Sequence, residues 1–444
     1  MPKKVALYWI VFVAVNGGFL FGLNMAGISG AVNSIQSRFN LSDGSLGSVV
    51  SILTLGCLIG ALFTGHYSDL YGRKKIMIFT AVLFAFSALG CALAPSMLLL
   101  SLSRLITGVA VGSISVVGPM YISEIAPANK RGTLVSFNQF AIVIGILLAY
   151  VFDYFLMDQV NGWRYMLVVP FVFSLLFLFL IVTSLPESPR WLLSKGMKEK
   201  ALSVLTKIGG REFAQEEMHS IDQSVHLETN KEKVAFKEIF QGKTGKVLML
   251  GTFLAAFQQI TGINAVVNYA PVIFEKTGVG GDTALLQSML VGLVNFLATI
   301  VALWLVDKKG RRTLLLWGAA GMTLSLGYLT YAFAFDGSSV SILVALLAYI
   351  AFFAASFAPV MWVVTSEMFP NRVRGLALSF STAVSWLCTF LTVQFSPYIL
   401  NQFGGAVLFG FFGIFSLLAF LFVQRWIPET KGKSLEQIEK EILK

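Results

Sequence analysis

Four side-chain amides fall within eleven residues of one apolar stretch. The segment FQQITGINAVVNYAP (257–271) sets Gln258, Gln259, Asn264 and Asn268 beside Thr261 and Tyr269, with Gly262 inside it and Pro271 at its end. An amide both donates and accepts a hydrogen bond, so it matches a hydroxyl group, which does the same. An unbroken helix would spread these groups over more than half of its circumference. Gly262 and Pro271 permit local unwinding that turns several of them toward one cavity. One or two amides would serve as interhelical glue; four exceed what packing needs. Further isolated amides are Asn138, Gln139 and Asn295, and Trp362 and Trp386 stand far from the ends of their apolar stretches. An indole face stacks on the C–H face of a ring whose rim carries hydroxyls. These residue types together suit a neutral, hydroxyl-rich ligand. A cation would call for buried carboxylates, and an anion for additional buried Arg or Lys.

Few other polar groups lie at depth. Arg104 is the one basic residue well inside an apolar stretch, and no Asp or Glu lies near the middle of any; Glu124 and Glu367 fall at stretch ends, and Asp153 near another. The cysteines Cys57, Cys91 and Cys388 sit in apolar surroundings and read as small packing residues, and His66, His219 and His226 lie outside the mid-membrane region. No metal-ligand spacing, cofactor motif or nucleophile–base pair appears, which disfavours an enzyme.

The elements that must position these residues follow from composition. The 444-residue chain is 56% hydrophobic and 13% charged, against about 25% charged in a soluble protein. Its solvent is therefore a bilayer. The net charge of +10 is scattered over short loops, unlike a nucleic-acid-binding stripe. Apolar stretches recur at about 8–30, 46–66, 76–94, 97–120, 133–155 and 164–185, then at about 247–274, 285–306, 313–335, 340–365, 374–400 and 406–426. The pattern predicts an all-α membrane protein of twelve transmembrane helices in two six-helix bundles. The expected divisions are a first bundle at 1–185, a cytoplasmic linker at 186–245, a second bundle at 246–426 and a cytoplasmic tail at 427–444. Basic residues crowd the termini, the linker and alternate loops, which places all of these in the cytoplasm. Within the linker, 195–210 reads as a helix with Ala201, Leu202, Leu205 and Ile208 on one face, and 233–241 as a second short helix. Short termini point to a prokaryote, whose inner membrane would then be the location.

The two halves repeat one another. GHYSDLYGRKK (65–75) and WLVDKKGRRTL (304–314) each join two apolar runs through an acid, a Gly and a basic cluster, and PESPRWLL (186–193) and PETKG (428–432) follow the respective halves. Duplication inside a hydrophobic chain is the mark of a transporter with its ligand between the halves. On these segments, with QQITGINAVVNY, SFNQFAIVIGILLAY (136–150) and SEMFPNRVRG (366–375), the chain resembles the sugar porters of the major facilitator superfamily over essentially its whole length. That family includes facilitative glucose transporters and bacterial proton–sugar symporters.

The resemblance implies a set of roles. Sugar-binding positions fall on Gln139, Gln258, Gln259, Asn264, Asn295 and Trp362, with Asn268, Tyr269 and Trp386 beside them. A cytoplasmic charge network falls on Arg73, Glu124, Arg131, Glu187 and Arg190, and again on Asp307, Arg311, Glu367 and Arg374. We expect these charges to latch the outward-open form by pairing across helix ends and to separate when the protein opens inward. Where symporters of the family carry an acid in the first helix, this chain has Asn24, opposite Arg104. The first of two family tyrosines is Asn268, and the amide that precedes the eleventh-helix Trp in several members is Ser385. An amide does not titrate, so the expectation is a monomeric, facilitative monosaccharide uniporter of hexose such as glucose. The alternatives are a proton–sugar symporter and a non-transporting sugar receptor.

Overall fold

Each apolar stretch folds as a helix because hydrocarbon offers no partner for a free N–H or C=O, and a helix pairs both within the segment. The computed structural model describes residues 3–127, 130–229, 236–369 and 373–431. Among these, twelve segments are long and apolar enough to cross a membrane. The first six are α1 (Lys3–Ala26) continued by α2 (Val32–Phe39), then α3 (Asp43–Tyr71), α4 (Arg73–Leu93), α5 (Met97–Ile125), α6 (Arg131–Leu156) and α7 (Gly162–Ser184). The linker holds α8 (Pro189–Ser194), α9 (Lys198–Gly209) and α10 (Arg211–Thr229). The second six are α11 (Gly242–Ile260) with α12 (Ile263–Glu275), α13 (Gly281–Lys309), α14 (Arg311–Ala334), α15 (Ser339–Ala354) with α16 (Phe357–Met368), α17 (Arg374–Gln402) and α18 (Gly404–Trp426). No strand occurs among the described residues.

Three spans are broken. The interruption at Gly262, with φ 93°, is the expected one. The first span was expected to run unbroken to residue 30; it stops at Ala26 and passes through a 3-10 turn at Ser29–Ala31 before α2. The tenth was expected to be continuous over 340–365; it breaks at Ser356, with φ −135° and ψ −82°. Pro359 explains that break, because its missing N–H leaves the carbonyl one turn earlier without a helical donor.

In the linker, Ala201, Leu205 and Ile208 are buried as expected, but Leu202 is exposed. With Leu192, Leu193, Ala214 and Ile221 the first two form a small core shared by α8, α9 and α10. The expected helix at 233–241 begins outside the described residues, and its described part is a 3-10 turn, Phe236–Phe240.

Small residues let helices approach within each half. Gly56 and Gly60 of α3 lie against the carbonyls of Leu105 and Val109 on α5, while Gly108 and Gly112 of α5 lie against those of Leu53 and Cys57 on α3. Any side chain at these places would push the backbones apart. Between halves, α3 packs on α17 and α6 on α13.

At the linker end the duplication becomes geometry. Gly72 joins α3 to α4 with φ 99°, and Gly310 joins α13 to α14 with φ 90°, a region that L side chains avoid. Glu187 Oε1 accepts the N–H groups of Arg73 (2.9 Å) and Lys74 (3.1 Å). Glu429 accepts those of Arg311 (2.8 Å) and Arg312 (3.1 Å) in the same way. Each carboxylate thus supplies the acceptor that the N-terminus of a helix lacks. Arg73 then donates to Ser68 O and Arg311 to Val306 O, both at 3.0 Å. Finally Arg73 pairs with Glu124 at 2.7 Å and Arg311 with Glu367 at 3.4 Å.

Burial alone would raise the Glu429 carboxyl, but the N–H groups of Lys431, Arg311, Thr313 and Arg312 outweigh it and hold the group below the ordinary carboxylate range. A depressed folded value means that this stabilisation is present above the ordinary range and lost as pH falls through it. Glu429→Gln should therefore cost about 0.3–1 kcal/mol at pH 7, the value of an exposed charge at a helix N-terminus. Thermal unfolding in detergent should show the gap between parent and variant closing as pH is lowered below about 4.5. A gap independent of pH would show that the charge is not what caps α14.

Candidate functional site

The amides of the seventh span meet the break in the tenth. Gln258 Nε2, at the end of α11, donates to Phe357 O at 2.9 Å, the first carbonyl of α16. Gln259 Nε2 donates to Gln258 Oε1 at 3.0 Å, and Asn264 Nδ2 donates to Gln259 Oε1 at 2.7 Å. One chain of polar groups therefore runs from the backbone of α16 across the Gly262 break into α12. Tyr349 of α15 secures the break itself, its hydroxyl donating to Thr261 O at 2.9 Å. Gln258 is buried, whereas Gln259 and Asn264 are half-buried, so the inner amide holds backbone and the outer two keep an accessible face.

The remaining predicted residues divide between neighbouring elements. Gln139, on α6, is half-buried, and Asn295, on α13, is buried; these two helices pack together across the halves. Trp362 stands on α16 and is exposed, and α16 packs on α11 and α13. Trp386 of α17 meets Phe21 of α1 with ring centroids 6.1 Å apart. Asn268 turns back to its own helix and donates to Asn264 O at 2.7 Å. Tyr269 donates to Val393 O at 3.1 Å. Asn138 is buried, and its Oδ1 has no hydrogen-bond partner among the described residues.

The expected Asn24–Arg104 contact is not made. Asn24 Nδ2 donates to Leu20 O at 2.8 Å, one turn back on its own helix. Arg104 is 3% exposed and donates to the carbonyls of Val49 (3.1 Å) and Val50 (3.2 Å) on α3.

The halves are joined at the end remote from the linker. Tyr150 of α6 donates to Val267 O of α12 at 2.7 Å, and Asn33 of α2 to Glu275 of α12 at 2.7 Å. Gln394 of α17 donates to Gly44 O (3.0 Å) and accepts from Ser51 (2.7 Å), both on α3, and Asn401 donates to Asp43 at 2.8 Å. A small cavity beneath is lined by Val32, Leu46, Ala265, Tyr269 and Phe412 among others. Toward the linker α16 packs on α11, α13, α14, α15 and α17, all within its own half. The hydrogen bonds between the halves named here thus lie at the end remote from the linker.

In this state Arg73–Glu124 and Arg311–Glu367 are both intact, each inside one half. Both pairs brace helix ends within a bundle. Arg131 is exposed, Arg190 is engaged, and Arg374 Nε donates to Phe369 O at 3.2 Å. The side chain of Asp307 lies outside the described residues. Glu429, absent from the expected network, is the counterpart of Glu187; the parallel between PESPR and PETKG was the signal for it.

Comparison with known proteins decides the family. The family model described as "Sugar (and other) transporter" matches residues 10–442. The chain belongs to this family. It is 38% identical to the D-xylose-proton symporter of Escherichia coli K12, over 98% of this chain and 95% of that one. It is 37% identical to the D-xylose transporter of Levilactobacillus brevis, over 98% and 96%. It is also 37% identical to the major myo-inositol transporter of Bacillus subtilis, over 97% and 93%. The inward-open conformation of the E. coli xylose transporter superposes with a TM-score of 0.87 at 36% identity, covering 98% of this chain and 99% of that one. The same transporter bound to 6-bromo-6-deoxy-D-glucose gives 0.83 at 37% identity, over 99% of both chains. The chain is a multi-pass membrane protein with the major facilitator fold.

The two ends of the amide chain predict different phenotypes. Gln259→Ala should weaken sugar binding about 2- to 10-fold, the worth of one neutral hydrogen bond, with thermal stability unchanged. Gln258→Ala should lose affinity and also about 0.5–1.5 kcal/mol of stability, because it removes the buried hydrogen bond that ties α11 to α16. Equal loss of stability in both variants, with affinity intact, would make the chain mere packing glue.

Proposed function

We propose that the protein carries a neutral monosaccharide, together with a proton, across the membrane by alternating access. The observation that carries the sugar reading is the amide chain from Phe357 O through Gln258 and Gln259 to Asn264. It links two helix breaks at mid-span and offers both donors and acceptors at its half-buried end, as a ring of hydroxyls demands. Gln139, Asn295 and Trp362 complete the proposed contact set from the facing helices. The basic residues orient the linker end toward the cytoplasm; the end at which the halves are joined is then external, and the form described is inward-facing.

Proton coupling replaces the uniport reading. Relatives at 36–38% identity carry the names D-xylose-proton symporter and arabinose-proton symporter, which favours symport here. Uniport was expected because Asn24 does not titrate and Asp153 stands near a helix end. Asp153 does stand near the end of α6, but it is only 1% exposed, which supplies a buried carboxylate for coupling. Relatives named for xylose and arabinose favour a pentose over the glucose first expected, and the one named for myo-inositol carries a six-carbon ring polyol in its name.

Proteoliposomes with an acid exterior should accumulate radiolabelled xylose above its equilibrium level and take up protons with it. Dissipating the gradient should return the sugar to equilibrium. Equilibration without accumulation would restore the uniport reading suggested by Asn24, and sugar binding without any flux would indicate a receptor.

A further inference from the structure

Among the described residues, Asp153 is the carboxylate residue that is fully buried. It lies on α6, is 1% exposed, and spans from the first half's core to the break in the first span. Gly30 N–H donates to its Oδ2 at 2.9 Å, and the Ser29 hydroxyl donates to the same oxygen at 3.3 Å. Its partners among the described residues are these two, and neither is a cation.

The ionisable groups on the surrounding elements are committed elsewhere. Tyr150, one turn earlier on α6, donates to Val267 O. Arg164 of α7 donates to the carbonyls of Ala92 and Ala94. Arg38 of α2 is exposed. On α12, Glu275 accepts from Asn33 and Tyr269 donates to Val393 O. Arg104 of α5 is held by Val49 O and Val50 O.

The position of this carboxyl matters as much as its burial. The Ser29–Ala31 turn packs on α6, α7 and α12, so the same turn that covers Asp153 also meets the second half at the external end. Tyr150, on the same helix, reaches α12 directly. Shutting the external end therefore places Asp153 beneath the Ser29–Ala31 turn. An ionised carboxylate without a cation resists transfer out of water, because two hydrogen bonds only partly replace its hydration. A carboxylic acid in the same place keeps Oδ2 as acceptor for both donors and carries no charge.

We propose that Asp153 is the group that takes up a proton from external water, and that closure of the external end over the Ser29–Ala31 turn depends on that protonation. The inference rests on the symport reading above, since it supplies the titrating group that Asn24 is not. The step is a proton transfer from external hydronium to a carboxylate oxygen while the turn is lifted. The turn then settles with Gly30 N–H and the Ser29 hydroxyl on Oδ2. External acid favours the closed, inward-facing form and so favours entry of bound sugar.

Asp153→Asn keeps the acceptor oxygen and removes the titration. In proteoliposomes the parent should accumulate xylose under an acid-outside gradient, and its sugar exchange at equal pH on both sides should quicken from pH 8 to pH 5.5. Asp153→Asn should fail to accumulate, while its exchange persists and no longer varies with pH. Accumulation that survives Asp153→Asn overturns the assignment and leaves symport standing. Absence of accumulation in the parent overturns symport itself.

A second measurement avoids the substitution. Spin labels at exposed Ser37 and Gln402, on α2 and α17 at the external end, report its closure by electron–electron distance in the otherwise unaltered protein. The shorter distance should gain population as pH falls from 8 to 5.5. A distribution that does not change with pH overturns the proposal.

Discussion

A polypeptide in hydrocarbon cannot leave a backbone N–H or C=O unpaired, and this structure is organised around the places where its helices break that rule. Hydrocarbon offers no partner, so a side chain meets the backbone beside each break. Beside the break in the tenth span, the Gln258 amide ties α11 to the first turn of α16 through the carbonyls of Phe357 and Ala358. At the break in the seventh, the Thr261 carbonyl receives the Tyr349 hydroxyl. At the break in the first, the Gly30 N–H finds Asp153. At the two linker-end turns the carboxylates of Glu187 and Glu429 do the same for α4 and α14. Every one of these partners comes from a segment distant in sequence from the backbone it meets.

That pairing gives the breaks their functional value. A side chain committed to a foreign backbone is fixed in position, so the next group in the chain is fixed too. Gln258 is immobilised by α16, Gln259 by Gln258, and Asn264 by Gln259. The outer amides are thereby pre-organised without being consumed, which lowers the ordering cost of binding. The same logic makes a break a joint. The short segments α2, α12 and α16 are each released from the span that precedes them, and two of these, α2 and α12, carry contacts between the halves at the end remote from the linker. Movement of such half-helices about a fixed site is the economical form of alternating access.

Much of this was legible in the residues. Twelve spans follow from apolar length alone, and the bend at Gly262 from a Gly and a Pro among amides. The paired linker-end devices follow from the repeated acid–Gly–basic segments. The break at Ser356 had a clue in Pro359, but a lone Pro near a helix middle does not say whether the helix kinks or stops. The break after Ala26 had Gly27 and Gly30, equally ambiguous in a chain this rich in glycine. The burial of Asp153 was not legible, for a different reason. Distance along a span measures depth in the bilayer, whereas burial depends on which other span covers the residue, and the turn at Ser29–Ala31 is more than a hundred residues away. Asn24 and Arg104 show the reverse error: their types suggested a pair, while each finds a nearer backbone carbonyl.

The central proposal is that the amide chain joining the seventh- and tenth-span breaks is also the sugar's binding group. Hydrogen–deuterium exchange of the intact protein, with and without xylose, tests it most directly. Bound sugar adds partners to Gln259 and Asn264 and stiffens the backbone they brace. Protection should therefore appear at 258–268 and 355–362, with little change along α4 and α18, which carry no break. Sugar-dependent protection that spares both breaks, in protein shown to bind, would contradict the account.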